Sequence, residues 1–157
     1  MVEPVALATF FTKYGALSRD AFLAEFPGGF LLVRAQGEPP TAVPLEAKEG
    51  FRMVLGSDED ADLAYELDQT LDAEHAVITY HVGFKGWNIE DMGSSFATHV
   101  DNERLIPGRP VLLTDRAVIK PGGGLVQLQF YLAESLWERM SKAGLTSRVK
   151  RPQKPKP

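Results

Sequence analysis

The stretch that decides the fold is Asp91-Met92-Gly93-Ser94-Ser95-Phe96-Ala97-Thr98. Gly93 suits a tight turn that requires a positive φ, because glycine carries no Cβ. Asp91 and the two serines that follow Gly93 are residue types that hydrogen-bond nearby loop backbone and hold its shape. The stretch therefore predicts a short loop that is braced by its own side chains.

A strand pattern stands immediately upstream of this loop. Apolar residues alternate with others through Ala76, Ile78, Tyr80 and Val82, which indicates a strand with one buried face. Residues 83–86 form a predicted turn, and residues 87–89 begin the next strand. The loop at 91–98 therefore follows a predicted hairpin.

The rest of the chain repeats this pattern of short strands and turn residues. Strand candidates lie at 30–33, 51–55, 62–67, 111–113, 118–119 and 126–130, whereas residues 36–49 are rich in Pro, Glu and Gly and are predicted as a loop. Gly122-Gly123-Gly124 falls where a hairpin turn is expected and lacks the lysine of a phosphate-binding loop. We predict an all-β protein, a β-sandwich of about 10–11 short strands over residues 28–132.

Helical patterns flank the predicted sandwich. Residues 1–27 are predicted as a helical N-terminal extension, with Ser18 as a helix N-cap, and residues 133–146 as a C-terminal helix. Phe10, Phe11 and Trp137 are expected to pack on the sandwich. Residues 147–157 carry five basic residues and no acid, and this Pro-rich tail is predicted to be disordered.

Composition limits the function classes. The chain has 157 residues, a net charge of −4 and no cysteine, which excludes disulfides, thiolate metal sites and a cysteine nucleophile. Without the basic tail, 12 basic residues face 21 acidic ones, a balance that disfavours nucleic acid as a partner. No signal peptide and no membrane-spanning segment are visible. We expect a cytoplasmic protein that needs no cofactor and no metal.

The order and spacing of three motifs resemble the forkhead-associated (FHA) domain family. The motifs are Gly56-Ser57, then Asp72-Ala73-Glu74-His75-Ala76, then Asp91-Met92-Gly93-Ser94-Ser95-Phe96-Ala97-Thr98. The resemblance implies a β-sandwich that binds phosphothreonine peptides with loops at one end, without catalysis. It also implies a bracing, structural role for Gly56, His75, Asp91 and Gly93.

The residues that handle phosphate in this family are replaced. Ser57 stands where the family has an arginine, Asp72 where it has the phosphate-binding serine, and Phe96 where it has a peptide-binding asparagine. Each lost charge-assisted hydrogen bond costs about 1.5–3 kcal/mol, and a carboxylate about 5 Å from a phosphate adds a few kcal/mol of repulsion. Together these changes would weaken phosphopeptide binding about a thousandfold or more.

We therefore predict a non-enzymatic protein-interaction module whose phosphothreonine recognition is lost or altered. Its ligand-binding loops are predicted to carry Ser57, Asp72, Ser94, Ser95, Phe96 and Thr98. The predicted partner is a protein or peptide. If Phe96 is exposed, it would suit an unphosphorylated partner with basic character. If Phe96 is folded inward, it would only support the loop.

Three alternatives remain at this point. Lys85, Arg104 and Arg109 are candidates for restoring phosphothreonine binding if they lean towards the loops. A self-associating scaffold, and hence a homo-oligomer, is the second alternative. Catalysis is the third, with Ser94 or Ser95 beside His75, although the G-x-S-x-G nucleophile motif is absent.

Overall fold

The structure is a computed structural model that describes residues 4–153, with side chains described as far as Ala143. Twelve strands and three helices occupy the described residues. In chain order they are β1 (Val5–Ala6), α1 (Leu7–Tyr14), α2 (Arg19–Glu25), β2 (Gly29–Ala35), β3 (Thr41–Leu45), β4 (Arg52–Gly56), β5 (Leu63–Ala64), β6 (Ala76–His81), β7 (Gly86–Asp91), β8 (Thr98–Val100), β9 (Glu103–Arg104), β10 (Val111–Leu112), β11 (Val118–Pro121), β12 (Val126–Leu132) and α3 (Ala133–Gln153).

The strands form two sheets that face each other. One sheet has the order β1-β3-β2-β12-β11-β8-β9, and the other has the order β10-β7-β6-β4-β5. The main apolar core lies between them and includes Leu31, Met53, Ile89, Ile119 and Phe130. The prediction of an all-β sandwich is confirmed, and eleven of the strands lie within residues 28–132.

A second apolar core lies on the outer face of the seven-stranded sheet. Strand β2 is buried on both faces: Leu31 and Val33 enter the main core, whereas Phe30 and Leu32 face the helices. This explains why β2 reads as a continuous apolar run rather than an alternating one. The helices α1 and α2 and the start of α3 cover this face, and their contributions include Phe10, Phe22 and Leu136.

The aromatic residues of the helices pack inward, as expected. Phe10 lies 5.3 Å from Phe30 in an edge-to-face arrangement. The Trp137 indole Nε1 donates to the Leu17 carbonyl at 2.9 Å. The predicted N-cap of α2 is also present, because Ser18 Oγ accepts a hydrogen bond from the Ala21 N–H at 3.2 Å. These side chains are therefore committed to holding the helices on the sheet.

Two segments differ from the prediction near the N-terminus. Val5–Ala6 is a strand rather than the start of a helix, because the edge of β3 offers it backbone partners at Thr41 and Ala42. Residues 36–49 contain strand β3, which local composition obscured. Pro44 is tolerated there because it lies beyond the two residues that pair with β1, so its missing N–H falls at an unpaired edge.

The C-terminal helix extends further than predicted. Helix α3 continues to Gln153, so it includes the first part of the predicted basic tail. The extension over residues 147–153 includes arginine and lysine, which are good helix formers, but it also includes Pro152, which is a poor one. The predicted disorder of residues 154–157 lies outside the described residues. Between residues 4 and 153, no helix is both long enough and apolar enough to span a bilayer.

Candidate functional site

Four connections meet at one end of the sandwich, which we call the loop end: residues 57–62, 65–75, 92–97 and 122–125. The strand registers place them together. Ala76 at the start of β6 pairs with Leu55 near the end of β4 and with Asp91 at the end of β7. Thr98 at the start of β8 pairs with Pro121 at the end of β11. All three sequence motifs therefore lie at the same end of the molecule.

His75 joins two of these loops from inside. Its side chain is fully buried, and Nδ1 accepts a hydrogen bond from the Asp72 N–H at 3.1 Å. Because Nδ1 is an acceptor, the neutral ring carries its proton on Nε2, which donates to the Ala97 carbonyl at 2.8 Å. The geometry matches the bracing role that the resemblance implies.

Asp91 organises the 92–97 loop. Its carboxylate accepts hydrogen bonds from the Gly93 and Ser94 N–H groups at 3.0 and 2.9 Å. The hydroxyls of Ser94 and Thr98 donate to it at 2.6 and 2.7 Å. Burial acts to raise the pKa of Asp91, but the hydrogen bonds from Ser94, Thr98 and Gly93 outweigh it and hold the pKa below its ordinary value.

The predicted ligand-binding residues divide into two groups. Thr98 is fully buried and its hydroxyl is bound to Asp91, so it braces the loop and offers no surface to a ligand. Ser94 is half-buried and its hydroxyl is also directed to Asp91. Ser95 and Phe96 are exposed, with 58% of Phe96 accessible. The sequence left open whether Phe96 is exposed or folded inward, and the structure shows that it is exposed.

Ser57, Asp72 and Ser95 meet at the outer surface of the loop end. The Ser57 N–H donates to the Asp72 carbonyl at 2.9 Å. The Asp72 carboxylate reaches across to the next loop and accepts the Ser95 N–H at 3.1 Å. The carboxylate at the position of the family's phosphate-binding serine is therefore fixed by a hydrogen bond to the loop that carries Phe96.

The glycine turn at 122–124 also belongs to the loop end, a contact that sequence reasoning missed. The Gly122 N–H donates to the Ala97 carbonyl at 2.9 Å, and the Gly123 N–H donates to Thr70 Oγ1 at 2.8 Å. A Cβ on Gly122 would lie 2.6 Å from the Thr70 carbonyl oxygen. The three consecutive glycines are the feature of the sequence that could have indicated this contact, because only glycine permits such a close approach of two backbones.

The three basic candidates lie in different places. Lys85 is in the β6–β7 turn, and the register from Ala76↔Asp91 to His81↔Gly86 puts that turn at the far end of the strands, roughly 17 Å away. A role for Lys85 at the loops therefore does not fit the register. Arg104 pairs with His99, next to Thr98. Arg109 follows Gly108, whose N–H donates to the Asp91 carbonyl at 3.0 Å.

Acidic side chains dominate the loop end. Residues 57–75 contain eight acids and neither lysine nor arginine, and these acids are Asp58, Glu59, Asp60, Asp62, Glu66, Asp68, Asp72 and Glu74. The described residues contain no group of three or more His, Cys, Asp and Glu side chains placed to hold a metal ion. The surface around Asp72 therefore presents negative charge to a ligand.

Comparison with known proteins identifies the class. Residues 53–122 match the family model of the FHA domain. Solved FHA domains share the fold at low identity. The FHA domain of the CT664 protein from Chlamydia trachomatis is 22% identical with a TM-score of 0.56, over 66% of this chain and 96% of that one. Residues 53–122 therefore match an FHA domain, within a sandwich whose fold solved FHA domains share.

Two further structures agree. The FHA domain of an Arabidopsis thaliana hypothetical protein is 24% identical with a TM-score of 0.56, over 68% of this chain and 86% of that one. The N-terminal FHA domain of Rad53p from S. cerevisiae, solved with a phosphothreonine peptide, is 13% identical with a TM-score of 0.58, over 71% of this chain and 98% of that one. No curated protein matches this chain.

Proposed function

We propose that this chain is a non-enzymatic protein-interaction module that binds an unphosphorylated, basic peptide at the loop end. The position of Asp72 carries the proposal. Its carboxylate stands where the family resemblance puts a phosphate-binding hydroxyl, and the hydrogen bond from the Ser95 N–H at 3.1 Å holds it there. A carboxylate accepts hydrogen bonds and donates none, so this position favours a cationic or N–H-donating ligand over an anionic one.

Charge around Asp72 supports a basic ligand. A second negative charge about 5 Å from a carboxylate is repelled by about 3 kcal/mol at an effective dielectric constant near 20. A phosphate carries nearly two charges at neutral pH, so Asp72 alone opposes it strongly. The surrounding acids, including Asp58 and Glu74, add to the same field. A lysine- or arginine-containing peptide experiences the same field as attraction, which raises its association rate.

Phe96 supplies the apolar part of the proposed contact. It is 58% exposed at the tip of a loop whose backbone is fixed by Asp91 and His75. An exposed aromatic ring on a rigid support is an efficient anchor, because little conformational entropy is lost when it is buried against a partner. Met92 and Ile106 are 39% and 55% exposed and flank the same end of the sandwich.

The experiment that tests the proposal compares two peptide pools that differ only in phosphate. A degenerate phosphothreonine pool and its unphosphorylated twin are titrated into the protein while backbone amide resonances are followed by NMR. We expect the unphosphorylated pool to shift Ser57, Asp72 and Ser95, more strongly at low salt than at high salt. A matched unphosphorylated pool without lysine and arginine serves as the charge control.

Other outcomes select other functions. Shifts with the phosphorylated pool alone would refute the proposal and favour phosphothreonine binding, with Arg104 or Arg109 as the phosphate ligand. Silence with every pool, together with a mass in light scattering that rises with concentration, would favour self-association. In that case the interface would not use Phe10, which is 2% exposed and packed under the helices.

A further inference from the structure

A cavity of about 540 Å³ lies beside the loop end, where the chain after β5 passes the end of β2 and the start of β12. Its lining includes Glu38, Tyr65, Glu66, Leu67, Asp68 and Leu125. Volumes of about 300–1,000 Å³ are typical of sites that hold small ligands or single side-chain anchors with their flanking groups. The cavity is therefore large enough to be a subsite for part of a ligand.

The charged groups of the cavity are all acidic. Glu38, Glu66 and Asp68 line it, and its lining contains no lysine, arginine or histidine. None of the salt bridges among the described residues involves these three carboxylates. A cationic group that entered the cavity would find negative charge that no neighbouring side chain has neutralised.

Asp68 carries an unsatisfied acceptor at this place. The side chain is 6% exposed, and its Oδ1 accepts hydrogen bonds from the Thr70 N–H and hydroxyl at 2.9 and 2.6 Å. Its Oδ2 is buried and has no hydrogen-bond donor among the described residues. Buried carboxylate oxygens without a donor are costly and uncommon, so this atom favours a ligand or water that brings an N–H or O–H group.

Tyr65 and two leucines suit the remaining parts of an arginine side chain. Tyr65 supplies an aromatic side chain to the cavity lining. Burial and then the nearby charge of Glu38 raise the pKa of Tyr65 to about 12, so the phenol stays neutral at neutral pH. Leu67 is 95% exposed and Leu125 is 42% exposed. Apolar surface of this kind packs well against the methylene groups of a long cationic side chain.

The cavity is physically joined to the loop end. Thr70 Oγ1 donates to Asp68 and accepts the Gly123 N–H at 2.8 Å, and Asp72 lies two residues further along the same loop. Leu125 follows the glycine turn that contacts Ala97. A peptide bound across Asp72 and Ser95 therefore has the cavity within its reach along the same surface.

We propose that this cavity receives an arginine side chain of the peptide bound at the loop end, an inference that rests on the proposed function. Arginine fits better than lysine. Its planar guanidinium offers several N–H donors to acceptors of the cavity lining, whose acids are Glu38, Glu66 and Asp68. A guanidinium also stacks on aromatic rings, of which Tyr65 supplies one. In this proposal the cavity selects peptides that carry an arginine, whereas Asp72 and Phe96 bind the other residues of the peptide.

The first test uses a small probe. N-acetyl-arginine N-methylamide is titrated against the protein by NMR, and the citrulline equivalent, which has the same shape and no charge, is the control. We expect the arginine probe to shift the amides of Tyr65, Leu67 and Leu125 and the citrulline probe to leave them unchanged. Equal shifts with both probes, or no shift at these residues, would overturn the inference even if peptide pools bind at Ser57 and Ser95.

The second test uses charge variants with peptide pools. Glu38→Gln with Glu66→Gln removes two exposed acids of the cavity, and Glu46→Gln with Glu49→Gln removes two exposed acids outside it. We expect the first pair to raise the dissociation constant of an arginine-containing pool about fivefold to tenfold and the second pair to leave it unchanged.

The outcomes separate the two proposals. An arginine pool that binds the loops of both double variants equally well would leave the proposed function standing and refute the arginine subsite. A probe that shifts the cavity while no unphosphorylated pool shifts the loops would refute the proposed function, and with it the assignment of the cavity to a peptide ligand.

Discussion

The inside and the outside of the loop end differ in how far they keep the family's chemistry. The inner frame, formed by His75, Asp91, Gly93 and Thr98, matches the FHA pattern and is joined by short hydrogen bonds. The rim, formed by Ser57, Asp72 and Phe96, departs from it at each position. The hydrogen bonds of the frame hold the shape of the loops, whereas the rim is the surface at which we propose that the ligand binds. On this proposal, changes at the rim alter ligand binding with little effect on stability.

The largest effect on stability is expected when the carboxylate at the centre of the frame, that of Asp91, is removed. Asp91→Ala leaves the Gly93 and Ser94 N–H groups and the Ser94 and Thr98 hydroxyls without their acceptor. We expect the free energy of unfolding to fall by about 3–5 kcal/mol, measured by urea denaturation. Asp72→Ala at the rim is the matched control and should cost less than about 1 kcal/mol. Similar losses in both variants would contradict a division between frame and rim.

The glycine turn provides the next test. Gly122 has a φ of +61°, and an added Cβ would meet backbone and side-chain oxygens of Thr70 at 2.6 Å. We expect Gly122→Ala to lower the free energy of unfolding by about 2–3 kcal/mol. Gly124→Ala is the control, because Gly124 also has a positive φ of +91° but faces open space. It should cost about 1 kcal/mol from backbone strain alone.

Restoring the family's rim residues tests the other half of the comparison. The double variant Ser57→Arg with Asp72→Ser returns a cation and a hydroxyl to a frame that is already in place. We expect it to bind phosphothreonine peptides more tightly by about 2–3 kcal/mol, measured by calorimetry, with little change in stability. A variant that gains no phosphopeptide affinity while it remains folded would show that the frame itself has altered.

Acid should weaken the frame through Asp91. Its pKa is lowered in the folded state from an ordinary value of 3.8, so its contribution to stability is complete above that value and is lost as the pH falls through the folded pKa. Asp91→Asn cannot accept all four hydrogen bonds, because its amide nitrogen is a donor.

We therefore expect the stability difference between the wild type and Asp91→Asn to be largest near neutral pH and to narrow below about pH 4. Urea denaturation of both proteins at a series of pH values measures this difference. A gap that stays constant down to pH 3, about one unit below the ordinary pKa, would mean that Asp91 does not supply this pH dependence.

The part of the frame around Asp91 was easier to predict from the sequence than the surface around it, for a physical reason. Asp91 binds Ser94 and Thr98, which lie three and seven residues away, so the motif itself contains the partners. The bond between Ser95 and Asp72 spans 23 residues, and the bond between Gly123 and Thr70 spans 53. Contacts of that range depend on strand register and sheet order, which local patterns do not specify.

The same limit explains the errors elsewhere. Residues 36–49 have the composition of a loop, yet β3 forms because β2 supplies a partner for every one of its residues. Lys85 is close to the 92–97 loop in sequence, but the register of β6 and β7 places it at the far end of the strands. The acidic cavity could not be predicted from the sequence for a related reason. Its residues Glu38, Tyr65 and Leu125 lie in three separate connections that only the fold brings together.

The smallest effect on stability is expected from substitution of Phe96, so this variant tests binding separately from folding. Because the ring is 58% exposed, Phe96→Ser should change the free energy of unfolding by less than about 0.5 kcal/mol. It should nevertheless weaken binding of the unphosphorylated basic pool by about 1–2 kcal/mol, because an aromatic anchor is lost. Phe84→Ser is the matched control, since Phe84 is 70% exposed in the β6–β7 turn at the other end of the strands. If both variants bind the pool as the wild type does, the rim recognises its partner by charge alone, and Asp72 with its acidic neighbours is the whole of the recognition surface.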